Sequence, residues 1–198
     1  MKKYIIIILF ILACSSSDGE KNIPEFDGNI AYQYIIEQCD FGPRNPGSTG
    51  HQQFANFLEN YLLKNSEKVI IQDFNYLEHI TGEDRKGKNL VAQFNLEAQE
   101  RLLIGAHWDT RAVADEDPNP ENRSIPILGA NDGASGTAIL MELAKIFSNN
   151  PPPIGIDLVF FDAEDVGISG QPTTYAMGSE YFSKNLPIKK PNSAIIVD

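Results

Sequence analysis

Short apolar runs alternate with amphipathic segments along most of this chain, and this alternation limits the folds it can adopt. The runs with strand character are 69–74, 89–94, 101–106, 156–161 and 194–198. The segments with apolar residues at helical spacing are 30–38, 50–65, 134–147 and 178–185. Strands that alternate with helices form a sheet covered by helices on both faces. The sequence therefore predicts an α/β fold, a three-layer sandwich with a mixed, mostly parallel central sheet flanked by helices.

The first 14 residues differ in character from the rest of the chain. Lys2 and Lys3 precede an apolar run, Tyr4–Ala13, that is too short to span a bilayer and is typical of a signal peptide. A small residue directly before Cys14 and a polar stretch after it resemble a bacterial lipoprotein signal. An ordinary secretory signal and an uncleaved anchor are the alternatives. We expect an exported protein that meets a bacterial membrane, on its periplasmic or surface face, only through a lipid on Cys14.

A polar stretch with Gly and Pro, residues 15–28, is typical of a tether and leaves 29–198 as one domain. The last strand-like run, Ala194–Asp198, stops without a turn or a polar tail, so we expect the C-terminal part of that domain to be missing. Lipidation of Cys14 would leave Cys39 alone, so no intrachain disulfide is expected. The net charge of −11 argues against non-specific nucleic-acid binding, which needs a basic surface.

Polar clusters stand at three places where a strand ends or a helix begins, which is where α/β sheets build their sites. They are His107-Trp108-Asp109, residues 129–136 around Asp132, and Asp162-Ala163-Glu164-Asp165. Taken singly, each has a plain alternative: a hydrogen-bonded core histidine, a helix N-cap and a solvated loop. The carboxylates of the third cluster repel one another unless a cation relieves them. A divalent metal held by one carboxylate, with its neighbour as general base, explains that cluster better.

In this order, His107-Trp108-Asp109, Asn131-Asp132-Gly133-Ala134-Ser135-Gly136 and Glu164-Asp165 resemble the motif set of the zinc aminopeptidase/glutaminyl cyclase superfamily. The resemblance covers residues 35–198 and implies Zn²⁺ as cofactor and peptide or protein N-termini as substrates. Zinc aminopeptidases use two zinc ions to hydrolyse an N-terminal peptide bond. Glutaminyl cyclases use one zinc ion to convert an N-terminal Gln to pyroglutamate, releasing ammonia. Some relatives have lost catalysis and serve as binding proteins.

Three features resemble the cyclase branch, and bacterial glutaminyl-peptide cyclotransferase-like proteins in particular. They are the long loop 166–177 after the acidic pair, the segment Phe41–Ser48, and the run Ala106–Arg111 with the Asp/Pro/Asn-rich loop after it. Two positions depart from the pattern: Asp165 stands where many relatives have Glu, and Gly170 where animal cyclases carry a pocket-lining Trp. We therefore expect a zinc-dependent glutaminyl cyclase, an acyltransferase. A dinuclear metallo-aminopeptidase is the alternative, and a non-catalytic binding relative is the second.

The resemblance also implies roles for single residues. Glu164 is the expected general base and Asp198 the second catalytic carboxylate. Asp132 and Asp165 are the expected zinc ligands. In an aminopeptidase His107 would bind a second zinc ion, with Asp132 bridging the two ions and Asp198 completing that site. In a cyclase His107 would lie near the metal without binding it.

The chain carries only two further histidines, His51 and His79, which are expected on helix and loop surfaces. The superfamily's last ligand, a His near the C-terminal end of the domain, is therefore not among residues 1–198. Residues 29–198 are expected to be the N-terminal portion of a single zinc-dependent catalytic domain.

Overall fold

A computed structural model describes residues 23–198 of the chain. The proposed signal peptide, Cys14 and most of the tether lie outside the described residues. Among residues 23–198, no helix is long and apolar enough to cross a membrane.

Five strands form a single sheet in the order β1-β2-β4-β3-β5. Their bounds are β1 Lys68–Glu78, β2 Glu83–Phe94, β3 Arg101–His107, β4 Gly155–Phe161 and β5 Ser193–Ile196. The β1–β2 and β2–β4 pairs are antiparallel, whereas β4–β3 and β3–β5 are parallel. The predicted α/β class with a mixed sheet is confirmed, and its parallel part is the half formed by β4, β3 and β5.

Helices cover both faces of the sheet, as predicted. They are α1 Gly28–Asp40, α2 Thr49–Lys64, α3 Ala134–Asn149 and α4 Met177–Lys184. Alternate side chains of β4 point to opposite faces. Leu158 and Phe160 join the large core under α2 and α3, while Val159 and Phe161 pack against Phe182 of α4. The molecule therefore has three layers, with α1–α3 on one face and α4 on the other.

The parallel strands bring their carboxyl ends to one edge of the sheet. His107 at the end of β3 pairs with Phe161 at the end of β4, and Gly105 pairs with Ile196 of β5. The residues that follow these strands, Asp162 and Val197, therefore start loops at the same edge. Every polar cluster singled out in the sequence lies at or next to this edge.

Candidate active site

A histidine and two carboxylates meet at the carboxyl edge of the sheet. Nε2 of the buried His107 lies 3.0 Å from Asp132 Oδ1 and 3.5 Å from Asp198 Oδ1. One ligand atom from each of the three residues lies within 4.8 Å of the others. Imidazole nitrogen and carboxylate oxygen are common zinc ligands. This group, which we call the His107 triad, could hold a metal ion.

Each member of the His107 triad is placed by a different element. His107 ends β3, and its carbonyl accepts a hydrogen bond of 2.8 Å from Thr137 Oγ1 of α3. Asp132 lies two residues before α3 begins. There Gly133 has φ of 89°, and a Cβ at that position would lie 2.5 Å from the Asp109 carbonyl oxygen. Asp198 follows β5, whose alignment is extended by the 2.8 Å bond from Val197 N to Gly105 O.

Asp109 holds the acidic turn that carries Glu164 and Asp165. Its two carboxylate oxygens accept from the backbone N–H groups of Glu164, at 3.0 Å, and Asp165, at 3.1 Å. Asp109 Oδ1 also lies 3.5 Å from Nδ1 of His107. The turn itself needs Ala163 at φ of 55°, a conformation that non-glycine residues seldom adopt. Asp109 thus orients the turn and faces His107 without belonging to the triad.

Glu164 has the protonation behaviour that a general base needs near neutral pH. Its Oε2 lies 4.0 Å from Nδ1 of His107. Partial burial and the negative charges of Asp109 and Asp165 raise the pKa of Glu164 to about 7, against the opposing effect of His107. A carboxylate with such a pKa can both accept and return a proton at neutral pH.

Asp165, expected as a zinc ligand, lies outside the His107 triad. Its Oδ1 accepts a hydrogen bond of 3.0 Å from Nη1 of Arg111. Burial raises the pKa of Asp165 to about 6, although Arg111 opposes the shift. Arg111 also donates two bonds, of 2.7 and 2.6 Å, to Asp115 and lies 5.5 Å from the centroid of the Tyr175 ring. The sequence analysis did not assign Arg111 a role, because only the fold brings it to Asp165.

The expectation that His51 lies on a helix surface is wrong. His51 is buried, its Nε2 lies 2.9 Å from Oδ1 of Asp162, and its ring stacks on Trp108 at 4.4 Å between centroids. The fully buried Asp162 also accepts from the backbone of Lys88 at 2.8 Å, at the start of the turn that leads to Glu164. The signal was present in the sequence, because His51 stands three residues before Phe54 on the apolar stripe of α2.

Arg44 explains how the segment Phe41–Ser48 contributes to the site. Its buried guanidinium donates hydrogen bonds to the carbonyl oxygens of Trp108, Gln38, Leu128 and Gly129, at 3.0 to 3.2 Å. One side chain therefore ties the loop after α1 to the end of β3 and to the loop before α3. These are the segments that carry Asp109 and Asp132.

Negative charge dominates this edge of the sheet. The carboxylates are Asp109, Asp132, Glu164, Asp165 and Asp198, and the nearby cations are His107 and Arg111. Burial disfavours the charged imidazole. The Asp109 and Asp132 carboxylates outweigh burial, however, and raise the pKa of His107 to about 11. The site thus favours a positive charge at the position of His107 Nε2, and a divalent metal would supply one.

The donor set fits a zinc ion on a second observation. Nδ1 of His107 is buried and has no hydrogen-bond partner within residues 23–198. A metal-binding histidine typically directs its second nitrogen towards a carboxylate, and Asp109 stands there at 3.5 Å. Asp132 and Asp198 are exposed and present their carboxylates to Nε2 of His107.

Two cavities open beside these carboxylates. The smaller, of about 210 Å³, is lined by His107, Glu164 and Asp198 together with apolar side chains such as Phe161. The larger, of about 770 Å³, reaches Asp132 and Asp165. Ligand sites in proteins are concave and combine apolar walls with a few polar groups, and both cavities have this character.

Comparison with known proteins identifies the family of this chain. Residues 89–198 match Peptidase family M28. The glutaminyl-peptide cyclotransferase of Bothrops jararaca is 23% identical over 179 residues, which are 85% of this chain and 46% of that protein. The chain thus spans about half the length of this curated relative.

Solved structures are similar over most of the chain. The Bacteroides thetaiotaomicron glutaminyl cyclase bound to N-acetylhistamine has a TM-score of 0.85 and 37% identity, covering 89% of this chain and 63% of that one. A Zn-dependent exopeptidase from Parabacteroides distasonis has a TM-score of 0.83 and 33% identity, covering 88% of this chain and 62% of that one. From the family match, the shared fold and the motifs that build this edge of the sheet, we conclude that the chain belongs to peptidase family M28.

Proposed function

We propose that the protein containing this chain is a zinc-dependent glutaminyl-peptide cyclotransferase, which converts N-terminal Gln of peptides to pyroglutamate and releases ammonia. The observation that carries the proposal is the small cavity that is lined by Glu164, with its raised pKa, and by Asp198. Similarity to glutaminyl cyclases over most of the chain supports the choice of branch.

In this proposal Asp132 and Asp165 would hold the zinc ion together with the His ligand that the resemblance implies. When bound, zinc would polarise the γ-carboxamide oxygen of the substrate Gln. Arg111 would keep Asp165 oriented through its 3.0 Å hydrogen bond. Asp109, which binds the backbone of the turn, would keep Glu164 and Asp165 in fixed relation to each other.

Proton transfer falls to the chain's own carboxylates. Ionised Glu164 takes a proton from the substrate α-amine as that nitrogen forms a bond to the carbonyl carbon of the γ-carboxamide. It then gives the proton to the amide nitrogen as the carbon–nitrogen bond breaks, so ammonia leaves and Glu164 is ionised again. Asp198 would hold the amine or the leaving nitrogen across the cavity. The enclosed walls would bring the two ends of the Gln residue together.

The His107 triad favours a second candidate, a dinuclear metallo-aminopeptidase. In that enzyme His107, Asp132 and Asp198 would hold an additional zinc ion, and one atom from each already lies within 4.8 Å of the others. Glu164 would then take a proton from the attacking water. The Zn-dependent exopeptidase among the structural relatives supports this alternative.

One assay separates the two candidates. We would prepare the full-length protein without residues 1–14, load it with zinc, and measure Gln-peptide cyclisation beside release of Leu from a Leu-peptide, with metal content on the same sample. Cyclisation with one zinc ion per chain would support the cyclase. Leu release with two zinc ions would establish the aminopeptidase instead. Peptide binding without turnover would indicate a non-catalytic relative.

We also propose that the protein is exported and anchored by a lipid on Cys14. The apolar run 4–13 and the polar stretch after Cys14 support this placement. Metabolic labelling with palmitate should mark the membrane fraction of cells that make the protein, and Cys14→Ser should abolish the label. Label retained by the Cys14→Ser variant would contradict the anchor.

A further inference from the structure

The larger cavity has a wall that the proposed reaction does not use. The cavity measures about 770 Å³ and runs from Asp132 and Asp165 to the loop that follows β3. On that loop Ile125 and Ile127 line the cavity with 53% and 37% of their surface exposed. Exposed aliphatic side chains gathered beside a reactive site are typical of a surface that binds a ligand.

The same loop places three carboxylates in the lining, Asp115, Glu116 and Asp117. Asp115 is neutralised by Arg111, at 2.6 and 2.7 Å. Glu116 accepts from the Ser169 hydroxyl at 2.9 Å and Asp117 from the backbone of Asn119 at 2.8 Å. Both donors are neutral, so the two negative charges persist.

One further cation lies near these carboxylates. Nε of Arg123 donates at 2.8 Å to the backbone carbonyl of Asp117. Within residues 23–198, neither the Glu116 nor the Asp117 carboxylate has a basic group within 4 Å. Asp132 and Asp165 at the inner end are the proposed zinc ligands, so the negative charge that remains for a substrate is that of Glu116 and Asp117, which exceeds the single positive charge of Arg123.

We propose that this cavity binds the residues that follow the substrate's N-terminal residue, and that it selects peptides with Lys or Arg at the second or third position. Such side chains have an apolar stem and a charged end. The stem would lie against Ile125 and Ile127, and the charged end would reach Glu116 and Asp117. The proposal rests on the proposed function, because it takes the reacting N-terminus to lie in the smaller cavity.

The test uses zinc-loaded full-length protein without residues 1–14 and three peptides that differ only at the second residue: Gln-Lys-Ala-Ala, Gln-Leu-Ala-Ala and Gln-Glu-Ala-Ala. We expect kcat/KM to be roughly fivefold higher for the Lys peptide than for the Glu peptide, because paired surface charges contribute modestly. The difference should lie in KM, since the second residue is remote from the reacting atoms. Because salt screens exposed charges, 0.5 M NaCl should reduce the difference between the Lys and Glu peptides.

Charge variants locate the effect. Glu116→Lys should bring the Lys and Glu peptides to equal kcat/KM, and Glu116→Gln should give an intermediate ratio while keeping an acceptor for Ser169. Glu97→Lys is the matched control. Glu97 is exposed, and it follows β2, whose last residue pairs with the start of β4 at the opposite edge of the sheet. In Glu97→Lys, the ratio of kcat/KM for the Lys peptide to kcat/KM for the Glu peptide should stay at the wild-type value.

The outcomes separate the two proposals. Equal kcat/KM for all three peptides in the wild-type protein would overturn the cavity proposal and leave the cyclase standing. An unchanged ratio in Glu116→Lys would do the same. If no peptide is cyclised, the proposed function fails. Calorimetric binding of the same peptides then tests the cavity by itself: tighter binding of the Lys peptide supports it, and equal binding overturns it.

Discussion

At the scale of single residues, this site is organised by carboxylates with different tasks. Asp109 is buried, and both of its carboxylate oxygens accept hydrogen bonds from the backbone of the acidic turn. Glu164 remains available to exchange a proton. The sequence indicated which acids cluster. It did not indicate which of them would be engaged by neighbours, because Arg111 and Asp165 stand on separate loops that meet only in the folded chain.

Glu164→Gln tests the role of the general base. The amide keeps the shape of the side chain but cannot take up a proton, so turnover should fall by about a hundredfold or more. Zinc content should stay close to the wild-type value, because the expected ligands are untouched. Steady-state rates and metal analysis on the same preparation check this. A near-normal rate in the variant would remove Glu164 from the mechanism.

His51→Ala tests the buried pair beneath the acidic turn. The change leaves the fully buried Asp162 carboxylate without its partner at 2.9 Å. We expect the free energy of unfolding to fall by about 3–5 kcal/mol, the usual cost of a buried charge left unpaired. Thermal or denaturant unfolding of the full-length protein measures it.

His79→Ala is the control for that experiment. His79 lies in the turn after β1 and is partly exposed, so its removal should change stability by less than about 0.5 kcal/mol. Equal effects of the two variants would mean that the His51–Asp162 contact contributes little.

At the scale of elements, helices and buried strands were predictable, whereas the full length of the β1–β2 hairpin was not. The apolar spacing of α2 and α3 and the continuous apolar run of β4 identify these elements, since each buries a face or both faces. β2 was expected to begin near residue 89 but begins at Glu83. Its first residues are charged, and they are strand only because they pair with the far end of β1, as Glu83 does with Glu78.

The loop before α3 gives a prediction at this scale. Gly133 has φ of 89°, and a Cβ there would meet the Asp109 carbonyl oxygen at 2.5 Å. Gly133→Ala should therefore displace the neighbouring Asp132 and lower zinc affinity by about tenfold or more, as expected when the support of a metal ligand is lost. Competition with a chromogenic chelator measures the affinity.

Gly170→Ala separates backbone strain from the effect on the site. Gly170 has a similar φ of 80°, but a Cβ there would meet no atom within 4 Å. The variant should cost some stability and leave zinc affinity unchanged. Loss of affinity in both variants would indicate a general loss of folding.

At the scale of the whole molecule, the parallel half of the sheet unites residues from distant parts of the chain. His107, Asp132 and Asp198 come from three segments, which the sequence motifs had already grouped by resemblance. The two cavities could not be predicted, because their walls combine loops whose paths depend on contacts such as those of Arg44.

Removal of zinc tests whether a metal ion bound at this edge of the sheet stabilises the folded molecule. A dication bound among these carboxylates stabilises the folded state by mass action, by about 3 kcal/mol at a hundredfold excess over its Kd. EDTA should therefore lower the Tm of the full-length protein, and added zinc should restore it. Magnesium at the same concentration is the control, since it prefers octahedral oxygen coordination. An unchanged Tm after verified removal of zinc would argue against a metal at this site.

The pairing of β5 with β3 has a consequence for how a metal ion would reach the His107 triad. Asp198 stands beside His107 only because β5 lies along β3, and Asp132 joins them only where α3 packs over that strand. In an extended chain the same donors are scattered, and none has a second donor of the group close by in sequence. The unfolded polypeptide is therefore a poor chelator. If the His107 triad holds zinc, as in the dinuclear alternative, zinc retained through a gel-filtration column would count correctly folded molecules, and the ion would enter after the sheet has closed.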